Sequence, residues 1–322
     1  MASKIIFAPT NADEIVDLAR SMTPPGFELV VVEVGTPKFY DAAADAEYYL
    51  GLSRGIGGEF FRSAPKLKLV QLMSAGYDRV DIEAARKAKV PVANNGGANA
   101  IAVSEHTLML MLAVLKRLVL FHNNIVAGKW RVSLTDPRVH ELSGKRVGIV
   151  GLGNIGKKVA RRVQAFDADV QYYDIARLTE DQEDALGVRF VLFDELLRTS
   201  DVVSMHVPLD DTTRAMISTR ELAMMKPTAI IVNTCRGPVI DEDALYKALT
   251  SGQIGAAGLD VMVEEPPKKD HPLFKLPNVT LTPHSAGPTW ENWTARLRNG
   301  FDNIQRVAAG RAPKWTVFDM SP

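Results

Sequence analysis

Five side chains stand where apolar runs end, and their types suit proton transfer and anion binding. Arg236 follows AIIVNTC, Asp260, Glu264 and Glu265 follow GQIGAAGL, and His284 follows NVTLTP. A histidine exchanges a proton near neutral pH. A carboxylate hydrogen-bonded to its far ring nitrogen orients the ring and favours the imidazolium. A guanidinium keeps its charge at any ordinary pH and is costly to bury unpaired. It also grips a carboxylate with paired hydrogen bonds and polarises a neighbouring carbonyl. Each residue has an ordinary reading when taken alone. His284 would be a hydrogen-bonded core histidine, Arg236 half of an ion pair at a domain junction, and Glu265, ahead of Pro266 and Pro267, a solvated loop acid.

A second pattern gives these groups a common purpose. VGIVGLGNIGKKVARRV carries Gly151, Gly153 and Gly156 as G-x-G-x-x-G, after an apolar run and at the start of a helical one. The first glycine permits a tight turn, the second lets a pyrophosphate approach the backbone, and the third lets helix and strand pack closely. DVQYYD then ends at Asp174, eighteen residues past Gly156. A carboxylate there accepts hydrogen bonds from ribose hydroxyls and repels a 2′-phosphate, which favours NAD over NADP. Arg177 lies close enough to soften that preference. Hydride transfer from a nicotinamide to a ketone leaves charge on oxygen, so it needs a proton donor and an anion receptor.

The elements must bring these residues to one place. KIIFA, ELVVVEV, EYYLGL and KLKLVQL read as strands in the first hundred residues. KRVGIV, DVQYYD, VRFVLF, DVVSMHV, TAIIVN and GAAGLDV read as strands later. Helical patterns separate them, which argues for parallel sheets wound in βαβ units. In such sheets the carboxyl ends of the strands line the ligand crevice. PVANNGGAN, residues 91–99, reads as a loop, and a long apolar helix is expected from about Ile101 to about Ala127. A last amphipathic helix is expected from Thr289 to Gly310.

Composition removes other classes. The chain has 322 residues, too many for one ordinary core and comfortable for two domains. Lys plus Arg and Asp plus Glu are 38 each, which gives no case for nucleic acid or an anionic membrane as partner. Cys235 is the single cysteine, so there is no internal disulfide, and no Cys/His spacing reads as a metal site. TLMLMLAVLKRLVLF is broken by Lys116 and Arg117 and reads as a buried helix, not a membrane span. MASKIIFAPT lacks the apolar core of a signal peptide, so the cytoplasm is the expected compartment.

An ordered set of segments resembles the D-isomer-specific 2-hydroxyacid dehydrogenases along nearly the whole chain. The segments are LVQLMSAGYDRVD, VSEHTLMLMLAVLKR, AGKW, GKRVGIVGLGNIG, HVPL with Thr212 and Thr213, MKPTAIIVNTCRGPVIDEDAL, GLDVMVEEPP, HPL and TPHSAG. The resemblance implies an α/β fold of two doubly wound parallel-sheet domains. A Rossmann-type cofactor domain, 100–288, would be inserted into a flavodoxin-like substrate domain made of 1–99 and 289–322. It also implies roles. Arg236 would bind and polarise a 2-oxo acid, His284 would be the acid/base and Glu265 would pair with it. Ser74, Ala75 and Gly76 match the loop whose N–H groups receive the substrate carboxylate. Asp260 matches the position that contacts the nicotinamide carboxamide. Thr107, Asn154, Ile155, His206, Pro208, Thr212, Thr213, Thr234, Cys235 and Ala286 would line the NAD site, Cys235 through its carbonyl more than its sulfur.

Some positions depart from the family pattern or add to it. Val263 stands where the family often carries an acid. Arg54, with Ile56 in a strand-end loop, either reads a second anionic or polar group on the substrate or is a surface residue. Trp290 and Trp293 border a pocket or a subunit interface, or belong to the core, the commoner fate. The expected activity interconverts a 2-oxo acid and a D-2-hydroxy acid, and the expected oligomer is a homodimer built on the long apolar helix. A formate dehydrogenase is disfavoured, because that branch has glutamine where Glu265 stands. Phosphoglycerate dehydrogenase and an NADH-sensing corepressor-like module are the alternatives.

Overall fold

The structure, a computed structural model, describes residues 2–8, 12–130 and 138–319. The outer limits expected for the domains, 1 and 322, lie outside the described residues. The chain divides into two compact units, Met1–Asn99 with Pro288–Pro322, and Ala100–Gly287. Pro288 thus groups with the first unit rather than the second.

The first unit opens with β1 (Ser3–Ala8), α1 (Asp13–Met22), β2 (Phe27–Val31), α2 (Pro37–Ala43) and β3 (Tyr48–Gly51). It continues with α3 (Gly58–Ser63), β4 (Leu69–Leu72), α4 (Ile82–Ala88) and β5 (Val92–Ala93). All pairings are parallel and the order is β2-β1-β3-β4-β5, the flavodoxin-like winding. β3 and β4 are buried at every residue, which is why they read as unbroken apolar runs. β5 lies inside the stretch expected to be a loop. Two residues flanked by Pro91 and an Asn/Gly run carry no legible strand period.

The second unit begins with α5 (Ala100–Leu115) and α6 (Leu118–Val126), where one helix was expected. Arg117 takes a left-handed φ of 51° at the break. The Leu115 carbonyl accepts the His140 N–H at 2.9 Å instead of a bond from the next helical turn, and the two helices meet at 63°. Among the described residues no single helix is long and apolar enough to cross a membrane.

The series then runs β6 (Arg146–Val150), α7 (Asn154–Gln164), β7 (Asp169–Tyr173), α8 (Glu180–Leu186), β8 (Arg189–Phe190) and α9 (Phe193–Thr199). It ends with β9 (Val202–Met205), α10 (Thr219–Met224), β10 (Ile230–Asn233), α11 (Glu242–Ser251), β11 (Ala256–Leu259) and β12 (Val279–Leu281). The seven strands are parallel, in the order β12-β11-β10-β9-β6-β7-β8. Chain order reverses between β6 and β9, and a doubly wound sheet binds ligands outside the carboxyl ends at such a point. Gly151 follows β6 there, and His206 follows β9.

The chain returns to the first unit through α12 (Trp290–Ala308). Its buried face, Trp293, Leu297, Phe301 and Ile304, packs with Ile5, Phe7, Leu50 and Met73. Beyond it, Thr316 bridges antiparallel to Ala93 and the Val317 N–H donates to the Val92 carbonyl at 3.0 Å. That covers the open edge of β5, which would otherwise present unpaired backbone groups.

Candidate active site

The glycine loop is built so that side chains cannot enter two of its positions. Gly151 has a φ of +93°, and a Cβ there would lie 2.6 Å from the His206 carbonyl oxygen. A Cβ on Gly156 would lie 2.2 Å from the Gly151 carbonyl oxygen. Gly153 differs: a Cβ there would meet nothing within 4 Å. That space lies at the N-terminus of α7, where Asn154, Ile155 and Gly156 form the first turn. Helix dipole and free N–H groups there suit a pyrophosphate.

Asp174 holds this loop from the next strand end. Its Oδ2 accepts the Leu152 N–H at 2.6 Å, and its Oδ1 accepts the Ala176 N–H at 2.9 Å. Arg177 is directed elsewhere. It donates to Glu183 at 3.0 Å and its guanidinium lies 5.0 Å from the Phe190 ring centroid.

After β9 the chain is organised by an acid that the sequence reading missed. Asp210 Oδ1 accepts the N–H of Thr212 at 2.8 Å, the N–H of Thr213 at 3.1 Å and the Thr212 hydroxyl at 2.6 Å. The Thr213 hydroxyl donates back to the Pro208 carbonyl at 2.7 Å. His206 Nε2 meets the Ser204 hydroxyl at 2.8 Å, while its buried Nδ1 has no hydrogen-bond partner among the described residues. Burial pushes the ring's pKa down to about 3, so it is neutral at ordinary pH.

After β10, Asn233 shapes the turn that presents Arg236. Its Oδ1 accepts the Cys235 N–H at 3.0 Å and its Nδ2 donates to the Arg236 carbonyl at 2.9 Å. The Cys235 carbonyl accepts from the Arg236 guanidinium at 2.7 Å, and burial pushes the thiol's pKa up to about 11. Thr234 shares a hydroxyl contact of 2.9 Å with Thr107 of α5. Gly237 is required by close approach, since a Cβ would sit 2.0 Å from the Met262 carbonyl group. The Arg236 loop therefore lies backbone to backbone against the loop that carries Glu265. Glu242, at the start of α11, holds that second loop by accepting the Val263 N–H at 2.7 Å, with His271 Nε2 3.3 Å from its other oxygen.

The pairing expected from sequence is present. His284 Nδ1 lies 2.9 and 3.0 Å from the two Glu265 oxygens. His284 has a left-handed φ of 54°. For a residue with a Cβ that costs about 1–3 kcal/mol and persists only where the surroundings impose it. Asp260 imposes it. Its carbonyl accepts the His284 N–H at 2.7 Å, and its carboxylate accepts the N–H groups of Ser285 at 2.9 Å and Ala286 at 3.0 Å. The Thr282 hydroxyl donates to Asp260 at 2.6 Å, and His106 Nε2 reaches Thr282 at 2.9 Å and Asp260 at 3.3 Å. Burial alone would raise the Asp260 pKa, but the bonds from His106, Thr282, Ser285 and Ala286 outweigh it and hold the group below the ordinary carboxylate value. In these contacts both Asp260 oxygens serve the His284 turn.

In the first unit, Ser74, Ala75 and Gly76 follow β4, and Arg54 follows β3. The Ser74 carbonyl accepts the Asn95 N–H at 3.1 Å, the Ala75 carbonyl accepts from Asn94 at 3.3 Å, and the Gly76 carbonyl accepts the Ser74 hydroxyl at 2.8 Å. Among the described residues nothing takes up the N–H groups of Ala75 and Gly76. Arg54 is exposed, whereas Ile56 is fully buried. Trp293 is core at 9% exposure, Trp290 is open at 57%, and Val263 is half-exposed.

Comparison with known proteins adds names to this geometry. The family described as D-isomer specific 2-hydroxyacid dehydrogenase, NAD binding domain, matches residues 108–286. A glyoxylate reductase of Korarchaeum cryptofilum is 38% identical over 299 residues, 92% of this chain and 87% of that one. A hydroxypyruvate reductase of Thermotoga maritima is 37% identical over 78% of this chain and 80% of its own. Among solved structures, apo D-mandelate dehydrogenase of Rhodotorula graminis superposes with a TM-score of 0.86 at 30% identity, covering 99% of this chain and 98% of that one.

Proposed function

The chain belongs to the D-isomer specific 2-hydroxyacid dehydrogenases, and on that premise we propose that it reduces a small 2-oxo acid to its D-2-hydroxy acid with His284 as proton donor. The observation that carries this reading is the Glu265–His284 pair, held on a left-handed residue at 2.9–3.0 Å.

NAD is the cofactor, and its reduced form supplies the hydride when bound. Gly151–Gly156 and the start of α7 are suited to its pyrophosphate, and Asp174 to the ribose hydroxyls. With Arg177 engaged by Glu183 and Phe190, we read the site as selective for NAD over NADP. As hydride reaches the carbonyl carbon, the carbonyl π pair moves to oxygen, and His284 Nε2 delivers its proton there. Nδ1 is committed to Glu265, which fixes the ring's orientation and leaves Nε2 for the transfer. Arg236 holds the 2-oxo acid and polarises its carbonyl. In the reverse direction His284 Nε2 takes the hydroxyl proton. In the first unit, the open N–H groups of Ala75 and Gly76 are suited to a carboxylate, which supports reading 1–99 with the C-terminal helix as the substrate domain.

The relatives' names make glyoxylate and hydroxypyruvate the first substrates to try. Loss of NADH absorbance with glyoxylate, hydroxypyruvate, pyruvate and phenylpyruvate tests the proposal. Turnover of at least one is expected, and NADH binding without any turnover would overturn it.

The partner we infer is a second copy of the chain. Ile101 and Met109 on α5, and Leu118, Val119, Ile125 and Val126 on α6, are 46–73% exposed, an apolar display that a homodimer would cover. Light scattering reads the mass directly. Residence in the cytoplasm is part of the same reading, supported by a single, partly buried free thiol.

A further inference from the structure

Arg296 is a buried cation that the chemistry above does not use. It sits on α12 with 7% exposure, and its buried Nε–H finds no acceptor among the described residues. Among the described residues no carboxylate pairs with it. It lies over the Trp293 ring, whose centroid is 4.8 Å from the guanidinium carbon. Burial, unopposed by any acid, pushes its pKa down to about 10. It therefore remains a cation at neutral pH. A ring face compensates part of that charge, but buried charges are ordinarily paired with an acid.

The position of Arg296 suggests where the missing acid comes from. One turn along α12, Asn299 donates to the Asn95 carbonyl at 2.9 Å, and the Asn95 N–H donates to the Ser74 carbonyl at 3.1 Å. Trp293 shares a buried cluster with Met73, the neighbour of Ser74. The turn carrying Arg296 is thus tied, within the first unit, to the loop whose N–H groups stand open.

We propose that Arg296 receives a second acidic group of the substrate, so that the preferred 2-oxo acid carries a carboxylate at its far end. This rests on the reading that the Ser74–Gly76 loop takes the first carboxylate. The guanidinium is then left for another planar acid, which its fork fits in a bidentate manner. Trp293 fixes the plane of the guanidinium, and the low exposure strengthens the attraction by excluding water.

The test compares substrates that differ only in the far carboxylate: 2-oxopentanedioate with 2-oxopentanoate, and oxaloacetate with 2-oxobutanoate. The wild type should favour the diacid of at least one pair by about tenfold or more in kcat/KM. Arg296→Met should reduce that ratio at least about tenfold, mainly through KM, and Arg296→Lys should keep part of it. Equal kcat/KM within both pairs, preference for the monoacids, or a diacid preference intact in Arg296→Met overturns the inference. Should Arg296→Met fail to fold, the wild-type ratio and Arg296→Lys decide. Glyoxylate separates the two readings. Its turnover without diacid preference rejects the role of Arg296 alone, whereas no turnover of any 2-oxo acid removes the proposed function and this inference with it.

Discussion

His284 and His206 both follow the carboxyl end of a strand in the same seven-stranded sheet, yet the two strand ends could hardly be more different. After β12, His284 is left-handed, its side chain is 45% exposed, and both oxygens of Glu265 face its Nδ1. After β9, the His206 ring bonds to the Ser204 hydroxyl, its Nδ1 has no hydrogen-bond partner among the described residues, and it is pushed down to about 3 by burial. One imidazole is half-exposed against a carboxylate, and the other is buried and neutral. Residue type and position along a strand are shared, so the difference lies in what neighbouring loops deliver. The chain after β11 supplies Asp260 and Glu265 to His284, whereas burial alone, among the described residues, sets the state of His206.

That contrast can be broken or sharpened around the histidines themselves. Arg236→Ala should lower kcat/KM about 100-fold or more, as expected when two charge-assisted hydrogen bonds of about 1.5 kcal/mol each are lost. Near-normal kcat/KM would remove Arg236 from substrate binding. Glu265→Gln should leave His284 with a neutral neighbour and reduce kcat by about 10- to 100-fold with NADH affinity retained. An unchanged kcat would mean that the pairing is ornamental.

His106→Ala acts one step further out, through Thr282 and Asp260. It should cost about tenfold in kcat by loosening the His284 turn, and His106→Gln should recover part of the loss. Equal damage from both variants, seen only in stability, would reduce His106 to packing. Asp174→Ala should raise activity with NADPH relative to NADH by about tenfold, and unchanged selectivity would count against its ribose role.

The smallest effect concerns His206. Unfolded, it takes a proton near its ordinary 6.5, and folded only near about 3. Its contribution to stability is therefore complete above 6.5 and is lost as the pH falls from 6.5 toward 3. His206→Gln should flatten the dependence of the urea midpoint on pH in that window, and an identical slope would show that His206 is not buried as a neutral ring.

Much of this was legible in the chain because local patterns carry it. Gly151 and Gly156 stand out because the backbone at the first and the close approach at the second admit only glycine, Gly153 leaves the space before α7 open, and Asp174 closes the next strand. Arg236, Glu265 and His284 stand out as charged or titratable residues directly after fully apolar runs. What escaped depends on contacts between distant segments. Asn233 reads as one more strand residue until its amide is seen bracing the Arg236 turn. His106 is an ordinary residue of an apolar helix until α5 lies against the ends of β11 and β12. Asp210 gives no sign that it gathers Thr212 and Thr213. The break at Arg117 was hidden because Lys116 and Arg117 interrupt apolarity without interrupting helix propensity, and the carbonyl that ends α5 is claimed by His140, far along the chain. β5 was too short to show a period, and the segment that bridges to it, at Thr316 and Val317, comes from the other end of the sequence.

The central claim is that Glu265-paired His284 supplies the proton in reduction of a 2-oxo acid. The most direct test measures NADH binding by fluorescence and turnover by absorbance on one sample of His284→Ala, beside His206→Gln. Loss of about 10²- to 10⁴-fold in kcat for His284→Ala, with NADH still bound and His206→Gln still active, is the predicted result. A His284→Ala enzyme that turns over at the wild-type rate would contradict it.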